Sequence, residues 1–307
     1  MEYRTFAESD AAAVVQLEIA RDPHRILTED GLLHNIRHPP DRQRRHDWVA
    51  IEGGELVGRV TAGFNWAVPT EGKGWVSFAV APSHWSDAGA GLFDIAVDYL
   101  RSEEAHELRC WTVDPKAVPL LEERGLTATR STVVSAVDPR LPDLSALPAL
   151  EEEKNAEGFR LAPLEAVDDP RAIHAVYAAG EADMPGDEHE TELDFESWEA
   201  ETLRHPEISA EGSILVMHGD QPVSLAFLAV EPERKLAYNE MTATLPDFRR
   251  RRLASLVKLA ALRWAAEGGF ERMLTENDDD NFAMRSINER LGYELVHVRH
   301  QFFRKLA

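Results

Sequence analysis

The chain has 307 residues, of which 44% are hydrophobic, 8% are aromatic and 29% are charged. This is the composition of an ordinary globular protein, and the length suits two domains of about 150 residues each. Asp and Glu total 55 against 33 Lys and Arg, which gives a formal net charge of −22. A surface this acidic repels phosphate backbones and attracts amines, so we expect no nucleic-acid partner.

The cysteine count and the first residues narrow the class of protein further. Cys110 is the single cysteine, so no internal disulfide can form and no thiol cluster is present to hold zinc. The opening MEYRTFAESD lacks a basic and then apolar signal pattern, and no apolar run approaches the ~20 residues of a membrane span. We therefore expect a cytoplasmic protein with no membrane partner.

The first half of the chain opens with a short strand over 3–6 and a helix over 11–20 that Asp10 or its neighbour can cap. A hairpin follows, because two strand-like runs flank the turn pair Gly53-Gly54. Next we predict a strand that ends near Pro82, a long amphipathic helix, another strand, a short helix and a closing pair of strands.

The second half repeats this order of elements with little residue identity. It begins with a strand over 158–164 and a helix from about Asp169, and its hairpin turns at Gly219-Asp220. The segment between the halves is rich in Pro, Asp and Glu, as linkers often are. The pattern predicts a duplicated α/β unit of the α+β type with mixed sheets. We place the domains at 1–140 and 158–307, with a linker over 141–157.

Four consecutive arginines, Arg249 to Arg252, lie between a strand that ends before Pro246 and a long helix. A helix N-terminus presents unpaired N–H groups and the positive end of its dipole, so each added cation is unfavourable by about 0.3–1 kcal/mol. Four of them call for an anion, such as a pyrophosphate with an extra phosphate, as in coenzyme A. The alternative is that these arginines pair with surface carboxylates.

The segments PDFRRRRLA and TENDDDNFAMRSINERLGY together resemble the GNAT superfamily of acyl-CoA-dependent N-acyltransferases. The resemblance covers about 158–307, with 1–137 as a weaker first copy, and the tandem arrangement is similar to that of mycothiol synthase-like proteins. It implies two tandem GNAT-like domains, each a central mixed sheet flanked by helices. It also implies acetyl-CoA as the acyl donor, and no metal.

The phosphate signature of that family, Arg/Gln-x-x-Gly-x-Gly/Ala, reads RRRRLA over 249–254. The first and last positions match, but Arg252 takes the place of a glycine that permits close approach of the backbone to the pyrophosphate. The resemblance implies that the preceding strand pairs its backbone with the pantetheine arm and that the helix start cradles the diphosphate. The implied cofactor residues are Thr242, Ala243, Thr244, Arg249, Arg250, Arg251, Arg252, Leu253, Ala254, Ser255, Asn277 and Asn281.

Two residues are implied to act in catalysis. In the family pattern Asn-x-x-Ala-x-x-x-Tyr the tyrosine protonates the leaving thiolate, but Asn288 stands there in this chain. Its amide can donate a hydrogen bond to the sulfur or the cofactor, although it cannot deliver a proton. The resemblance implies Glu240 as the general base, because many family members place a glutamate at this point of the strand, and strand alternation predicts it on one face with Thr242 and Thr244. The alternative is a half-exposed strand glutamate paired with an arginine.

An acidic segment over 181–196 is the candidate acceptor side of the site, where Asp183, Asp187 and Glu188 could attract a cationic amine. An equally simple interpretation is a solvated acidic loop. His189 has no zinc-motif partner, so we expect no metal.

The first half carries Trp85 where the second has Arg249, and Val76 at the position of the base. We therefore predict a scaffold in the first domain and an N-acetyltransferase in the second, transferring acetyl to a primary amine of a small, cationic molecule by direct attack. The protein would be a monomer or homodimer. Alternatives are a non-catalytic acyl-CoA-binding or regulatory module, and a protein N-terminal or lysine acetyltransferase.

Overall fold

The computed structural model describes residues 1–67, 71–184 and 194–306. The chain divides into two compact units. Unit 1 contains Met1–Thr132 together with the chain from Val298 onward, and unit 2 is Val133–His297. None of the helices in the described ranges has the length and apolar character that crossing a membrane requires.

Both halves contain the predicted order of strands and helices, with additional helices between some of these elements. The first half contains β1 Glu2–Thr5, α1 Ala11–Arg21, α2 Glu29–Arg37, β2 His46–Glu52, β3 Glu55–Phe64, β4 Lys73–Val80, α3 Ala90–Ser102, β5 Glu107–Thr112, α4 Ala117–Glu123 and β6 Thr127–Val137. The second half contains α5 Ala146–Ala156, β7 Phe159–Pro163, α6 Pro170–Glu181, α7 Phe195–Trp198, β8 Ile214–His218, β9 Gln221–Glu231, β10 Leu236–Thr244, α8 Leu253–Glu267, β11 Arg272–Asp278, α9 Phe282–Arg290 and β12 Glu294–Lys305.

Each unit is built on a mixed sheet. In unit 1, β1 to β4 pair antiparallel in sequence order and β5 joins β4 in parallel. In unit 2, β7 to β10 pair antiparallel in the same way and β11 joins β10 in parallel. A long helix makes each parallel connection, α3 in unit 1 and α8 in unit 2, as parallel pairs require. The predicted duplication of a mixed α/β fold is therefore confirmed.

The two predicted hairpins are present, and their turns explain why local sequence revealed them. Gly53 and Gly54 have φ of 60° and 89°, and Gly219 has φ of 61°. These left-handed conformations suit glycine, which lacks a Cβ, and they turn one strand tightly into the next.

Three features differ from the sequence prediction. Each closing strand pair is one long strand, β6 or β12. Residues 300–305 of β12 pair with β5 inside unit 1, although the sequence places the whole segment in the second domain. The predicted linker over 141–157 contains α5, because Leu147 and Leu150 give its acidic sequence an apolar side that is buried in the core of unit 2.

Helices cover both faces of each sheet and form apolar cores with them. In unit 2, α5 and α8 pack on one face, and α6 and α7 pack on the other. Cys110 lies in the core of unit 1 beneath α3, where burial raises the pKa of its thiol to about 12. The prediction of Cys110 as a small buried hydrophobe is therefore confirmed.

Unit 1 also contains a buried ionic cluster centred on Arg59, which lies on β3. Its Nε and Nη2 donate to Asp47 Oδ1 at 3.2 and 2.5 Å, and its Nη1 contacts Glu18 of α1. Thr61 Oγ1 donates to the same Asp47 oxygen at 2.6 Å. Burial alone would raise the pKa of Asp47, but the charges of Arg59 and Arg45 and the donated hydrogen bonds outweigh it and lower that pKa to about 2.

Candidate acyl-transfer site

A cleft opens in unit 2 where two parallel strands separate. The pairing of β10 with β11 covers Leu236–Asn239 and Arg272–Thr275, but both strands continue beyond it, to Thr244 and Asp278. The space between the strand ends is about 570 Å³. A gap of this kind leaves backbone groups of β10 available to a ligand, because a strand forms hydrogen bonds on two sides.

Most of the predicted site residues lie around this one cleft. Those that line it are Asp183, Glu240, Thr242, Ala243, Thr244, Arg249, Arg250, Arg252, Leu253, Ala254, Ser255, Asn277 and Asn281. Arg251 and Asn288 are not among the described residues that line it. Asp187 and Glu188 fall outside the described residues.

Glu240 is the extra residue of a β-bulge. Asn239 lies opposite Leu228 and Met241 lies opposite Phe227, so Glu240 has no partner position on β9. Asn239 and Thr242 hydrogen-bond to each other through their side chains at 3.0 Å, although strict alternation would direct them to opposite faces. The prediction that Glu240 and Thr242 share a face is therefore wrong, because the bulge reverses the alternation between them.

The Glu240 carboxylate is exposed and faces α6. Burial raises the pKa of Tyr177 on α6, and the charges of Glu181 and Glu240 raise it further. Burial also raises the pKa of Glu181, at the end of the same helix. Gly180 permits this close packing, because a Cβ there would lie 2.7 Å from the Cβ of Ala243. Two carboxyl groups therefore lie near the Tyr177 phenol, and Glu240 is the one of the two that lines the cleft.

The four arginines precede α8, and two of them adopt left-handed backbone conformations. Arg250 has φ of 60° and Arg252 has φ of 64°. Arg252 therefore keeps the backbone conformation suited to the glycine of the family signature, while its side chain adds a charge. The first backbone N–H groups of α8 have no partner within the helix and lie at the cleft with Leu253, Ala254 and Ser255.

The arginine side chains have different partners. Arg249 donates to the Thr244 carbonyl at 3.1 Å and to Asp183 Oδ1 at 3.3 Å. Arg252 pairs with Glu153 at 3.3 Å, and the Arg251 guanidinium lies 5.9 Å from the centroid of the Phe248 ring. Pairing with carboxylates thus occurs for two of the four. Asp183, predicted on the acceptor side, is bonded to the first arginine of the phosphate signature.

The asparagines after β11 form a small hydrogen-bonded group. Asn281 caps α9 by accepting from the Met284 N–H at 3.2 Å. Asn288 is buried, and its Nδ2 donates to Asn277 Oδ1 at 2.6 Å. The resemblance implies that the Asn288 amide donates to the sulfur or the cofactor. In the structure it donates instead to Asn277, which lines the cleft.

Sequence reasoning missed two polar residues at the cleft: Asn239, which lines it, and Lys258, which is buried behind Asn239. Lys258 on α8 is only 1% exposed, and its Nζ lies 3.3 Å from Asn239 Oδ1. Burial lowers the pKa of Lys258 to about 7. The spacing could have revealed it, because Lys258 falls three and seven residues before the buried Ala261 and Ala265.

Unit 1 has a comparable strand separation that its own side chains partly occupy. The pairing of β4 with β5 ends at Val76, and the space beyond is about 200 Å³. Arg21 of α1 lines it, donates to the Val80 carbonyl and pairs with Asp114. Its guanidinium also lies 5.1 Å from the centroid of the Trp85 ring. The end of β4 is thus occupied by an arginine from the same unit.

A metal centre has no support in the described ranges, which contain no group of three or more His, Cys, Asp or Glu residues able to hold an ion.

Comparison with known proteins agrees with this arrangement. The model of the acetyltransferase (GNAT) family matches residues 14–126 and again 173–293. No curated protein matches the sequence.

Several solved structures have the same fold. A tandem GNAT protein from the clavulanic acid biosynthesis pathway superposes with a TM-score of 0.75 at 18% identity, covering 99% of this chain and 98% of that one. A GCN5-related N-acetyltransferase from Sphaerobacter thermophilus gives 0.68 at 14% identity, covering 99% and 95%. One from Kribbella flavida gives 0.55 at 17% identity, covering 92% and 98%. At these identities the likeness shows the fold alone.

Proposed function

Because the chain belongs to the acetyltransferase (GNAT) family, with two tandem GNAT domains, we propose that unit 2 transfers an acetyl group from acetyl-CoA to a primary amine of a small, cationic molecule. The observation that carries this proposal is the cleft between β10 and β11, which leads from the bulge at Glu240 to the arginines at the start of α8. That the protein is of the mycothiol synthase-like type stays a prediction.

The charges and the backbone of the cleft support one direction for the donor. Its diphosphate would lie against the backbone N–H groups at 250–255, where the helix dipole and the arginine charges favour an anion. The pantetheine arm would then run along Thr242 to Thr244 and pair with them as an added strand does. This direction brings the thioester to the bulge, so the carbonyl carbon would lie beside Glu240.

The chemistry we propose is direct attack. Glu240 accepts one proton from the bound ammonium group, through a water molecule, and the free amine attacks the thioester carbonyl carbon. A backbone N–H of β10 meets the developing oxyanion. The carbon–sulfur bond then breaks with its electron pair going to sulfur, and the second nitrogen proton is lost as the amide forms and ends on that sulfur. Asn288 acts only by holding Asn277.

The charges near α6 support the proposed class of acceptor. The charges of Glu181 and Glu240 both act on Tyr177 of α6, Glu240 lines the cleft, and the chain as a whole carries −22. A small molecule with more than one amino group, such as a polyamine or an aminoglycoside, could place one ammonium group at Glu240 and a second one near Glu181. A lysine side chain or a protein N-terminus offers only one cation.

A thiol-release assay over a panel of amines tests this function. The panel contains a polyamine, an aminoglycoside, a lysine peptide and a peptide with a free N-terminus, each with acetyl-CoA. The buried Cys110 leaves a thiol reagent free to report released coenzyme A. We expect turnover with the multiply charged amines and a loss of ~10²-fold or more in Glu240→Gln at neutral pH.

Two other outcomes would redirect the proposal. Saturable binding of acetyl-CoA without turnover on any amine would indicate the acyl-CoA-binding module instead. Turnover on the peptides alone would indicate a protein acetyltransferase. Unchanged activity of Glu240→Gln at every pH would retire Glu240 as the base.

A further inference from the structure

Three polar side chains form a connected row from the core of unit 2 to the wall of the cleft. Lys258 donates from Nζ to Asn239 Oδ1 at 3.3 Å, and Asn239 in turn contacts Thr242. Asn239 is the last residue of β10 that pairs in register before the bulge, and both Asn239 and Thr242 line the cleft. A buried ammonium group is therefore linked, through one amide, to a hydroxyl at the wall of the site.

The contact between Asn239 and Thr242 can form in two directions. Asn239 Nδ2 lies 3.0 Å from Thr242 Oγ1, so the amide can donate to the hydroxyl. Thr242 Oγ1 lies 3.1 Å from Asn239 Oδ1, so the hydroxyl can instead donate to the amide. Only the first direction leaves the Thr242 proton available to a ligand in the cleft, because a hydroxyl has one proton to give.

Lys258 favours the first direction. An ammonium group can only donate, and its hydrogen bond occupies and polarises Asn239 Oδ1, which makes that oxygen a poorer acceptor for Thr242. The same bond turns the amide so that its Nδ2 is presented to Thr242. The ammonium charge thereby selects the orientation in which the hydroxyl proton is directed at the cleft.

The surroundings of Lys258 make a purely structural role unfavourable. In the described part of the chain its ammonium group has no carboxylate partner; it contacts Asn239 and lies 5.6 Å from the centroid of the Tyr293 ring. The rest of its environment is the apolar core between α8 and the sheet. A buried cation without a counter-ion destabilises a fold, and an apolar side chain of similar length would pack there at lower free energy.

We infer that Lys258 is a positioning residue for acyl transfer, which through Asn239 directs the Thr242 hydroxyl proton at the sulfur of departing coenzyme A. This inference rests on the proposed function, which brings the thioester to the bulge beside Thr242. It also accounts for Asn288 standing where the family pattern has a tyrosine, because the leaving sulfur is then stabilised by Thr242 from the opposite wall of the cleft.

The step balances without a further co-reactant. The carbon–sulfur bond breaks with its electron pair on sulfur, and the Thr242 hydroxyl stabilises that charge by a hydrogen bond while keeping its proton. The proton that finally neutralises the sulfur is the second one from the acceptor nitrogen. Lys258 transfers no proton in this step, and because its pKa is about 7, its charged form, which directs Asn239, predominates below neutral pH.

The test is Lys258→Met, which removes the charge and keeps the length of the side chain. We expect kcat to fall about tenfold or more, less than the ~10²–10³-fold loss seen when an oxyanion-hole donor is removed outright. The KM for acetyl-CoA should stay within about twofold, and Tm should equal or exceed that of the wild type, because a buried cation has been replaced by an apolar group. Arg263→Met, which removes a half-exposed cation from the same helix, is the matched control and should leave kcat unchanged.

Variants of Thr242 supply the second part of the test. Thr242→Val should lose as much kcat as Lys258→Met, whereas Thr242→Ser should retain activity. The double variant Lys258→Met/Thr242→Val should lose no more kcat than either single variant, because both residues act through one hydroxyl.

Full activity of Lys258→Met beside an active wild type would overturn this inference alone. A fall in Tm together with a raised KM would assign Lys258 a structural role and overturn it too. A wild type without turnover on any amine would overturn the proposed function, and this inference with it.

Discussion

The carboxylate of Asp183, just after α6, is bonded to the guanidinium of Arg249, the first arginine of the phosphate signature, with Arg249 Nη1 3.3 Å from Asp183 Oδ1. This pair joins the end of the helix that carries Glu181 to the loop that would hold the diphosphate. A phosphate group arriving at this loop would compete with Asp183 for the same guanidinium.

Asp183→Asn should therefore tighten the binding of coenzyme A. An exposed ion pair contributes about 0.2–1 kcal/mol, so the Kd should fall by up to about fivefold, and calorimetry at low ionic strength measures it. Asp168→Asn, which removes the same charge from the loop before α6, should leave the Kd unchanged. Equal or weaker binding by Asp183→Asn would mean that Arg249 does not contact the diphosphate.

A glycine at position 252 should stabilise the protein. Arg252 holds φ of 64°, and the left-handed region costs a residue with a Cβ about 1 kcal/mol or more relative to glycine. Arg252→Gly should raise the free energy of unfolding by about 1 kcal/mol, measured by urea denaturation. Arg251→Gly should lower it, because Arg251 is not among the positive-φ residues and its guanidinium lies over aromatic rings. The same sign for both variants would contradict the assigned backbone conformation.

The buried carboxylate of Asp47 should make unit 1 sensitive to acid. Its pKa falls from the usual 3.8 to about 2 in the folded state, so the folded protein binds fewer protons than the unfolded chain between these values. The stabilisation is thus complete above the unfolded pKa and is lost as the pH falls towards the folded one. The stability advantage of wild type over Asp47→Asn should shrink as the pH drops from 5 to about 2, as followed by thermal unfolding. A constant difference over this range would refute the shift.

Some elements could be predicted because their causes are local. The Gly53-Gly54 and Gly219-Asp220 turns are fixed by their own residues, and the apolar spacing of α8 sets which side it buries. The arginine loop follows from its place between a strand and a helix. Most of the predicted cofactor residues line a single cleft, because they lie close together in sequence on this strand, loop and helix.

Other features depend on partners distant in sequence. The bulge at Glu240 exists only in the pairing of β10 with β9, so alternation within β10 could not reveal it. Likewise, Arg249 and Asp183 are 66 residues apart in the sequence. The last strand, β12, pairs with β5, which lies in the first half of the chain. Lys258 was missed because a lysine is ordinarily exposed, whereas here the sheet covers it.

The central claim is that the cleft of unit 2, and not the smaller gap of unit 1, binds the acyl donor. Calorimetric titration of the folded protein with acetyl-CoA tests it most directly, with Arg249→Ala/Arg250→Ala as the variant. We expect saturable heat at one donor per chain, a Tm that rises with donor concentration, and loss of both in the variant. Two donors per chain, undiminished binding by the variant, or a folded wild type that gives neither heat nor thermal protection would contradict the account.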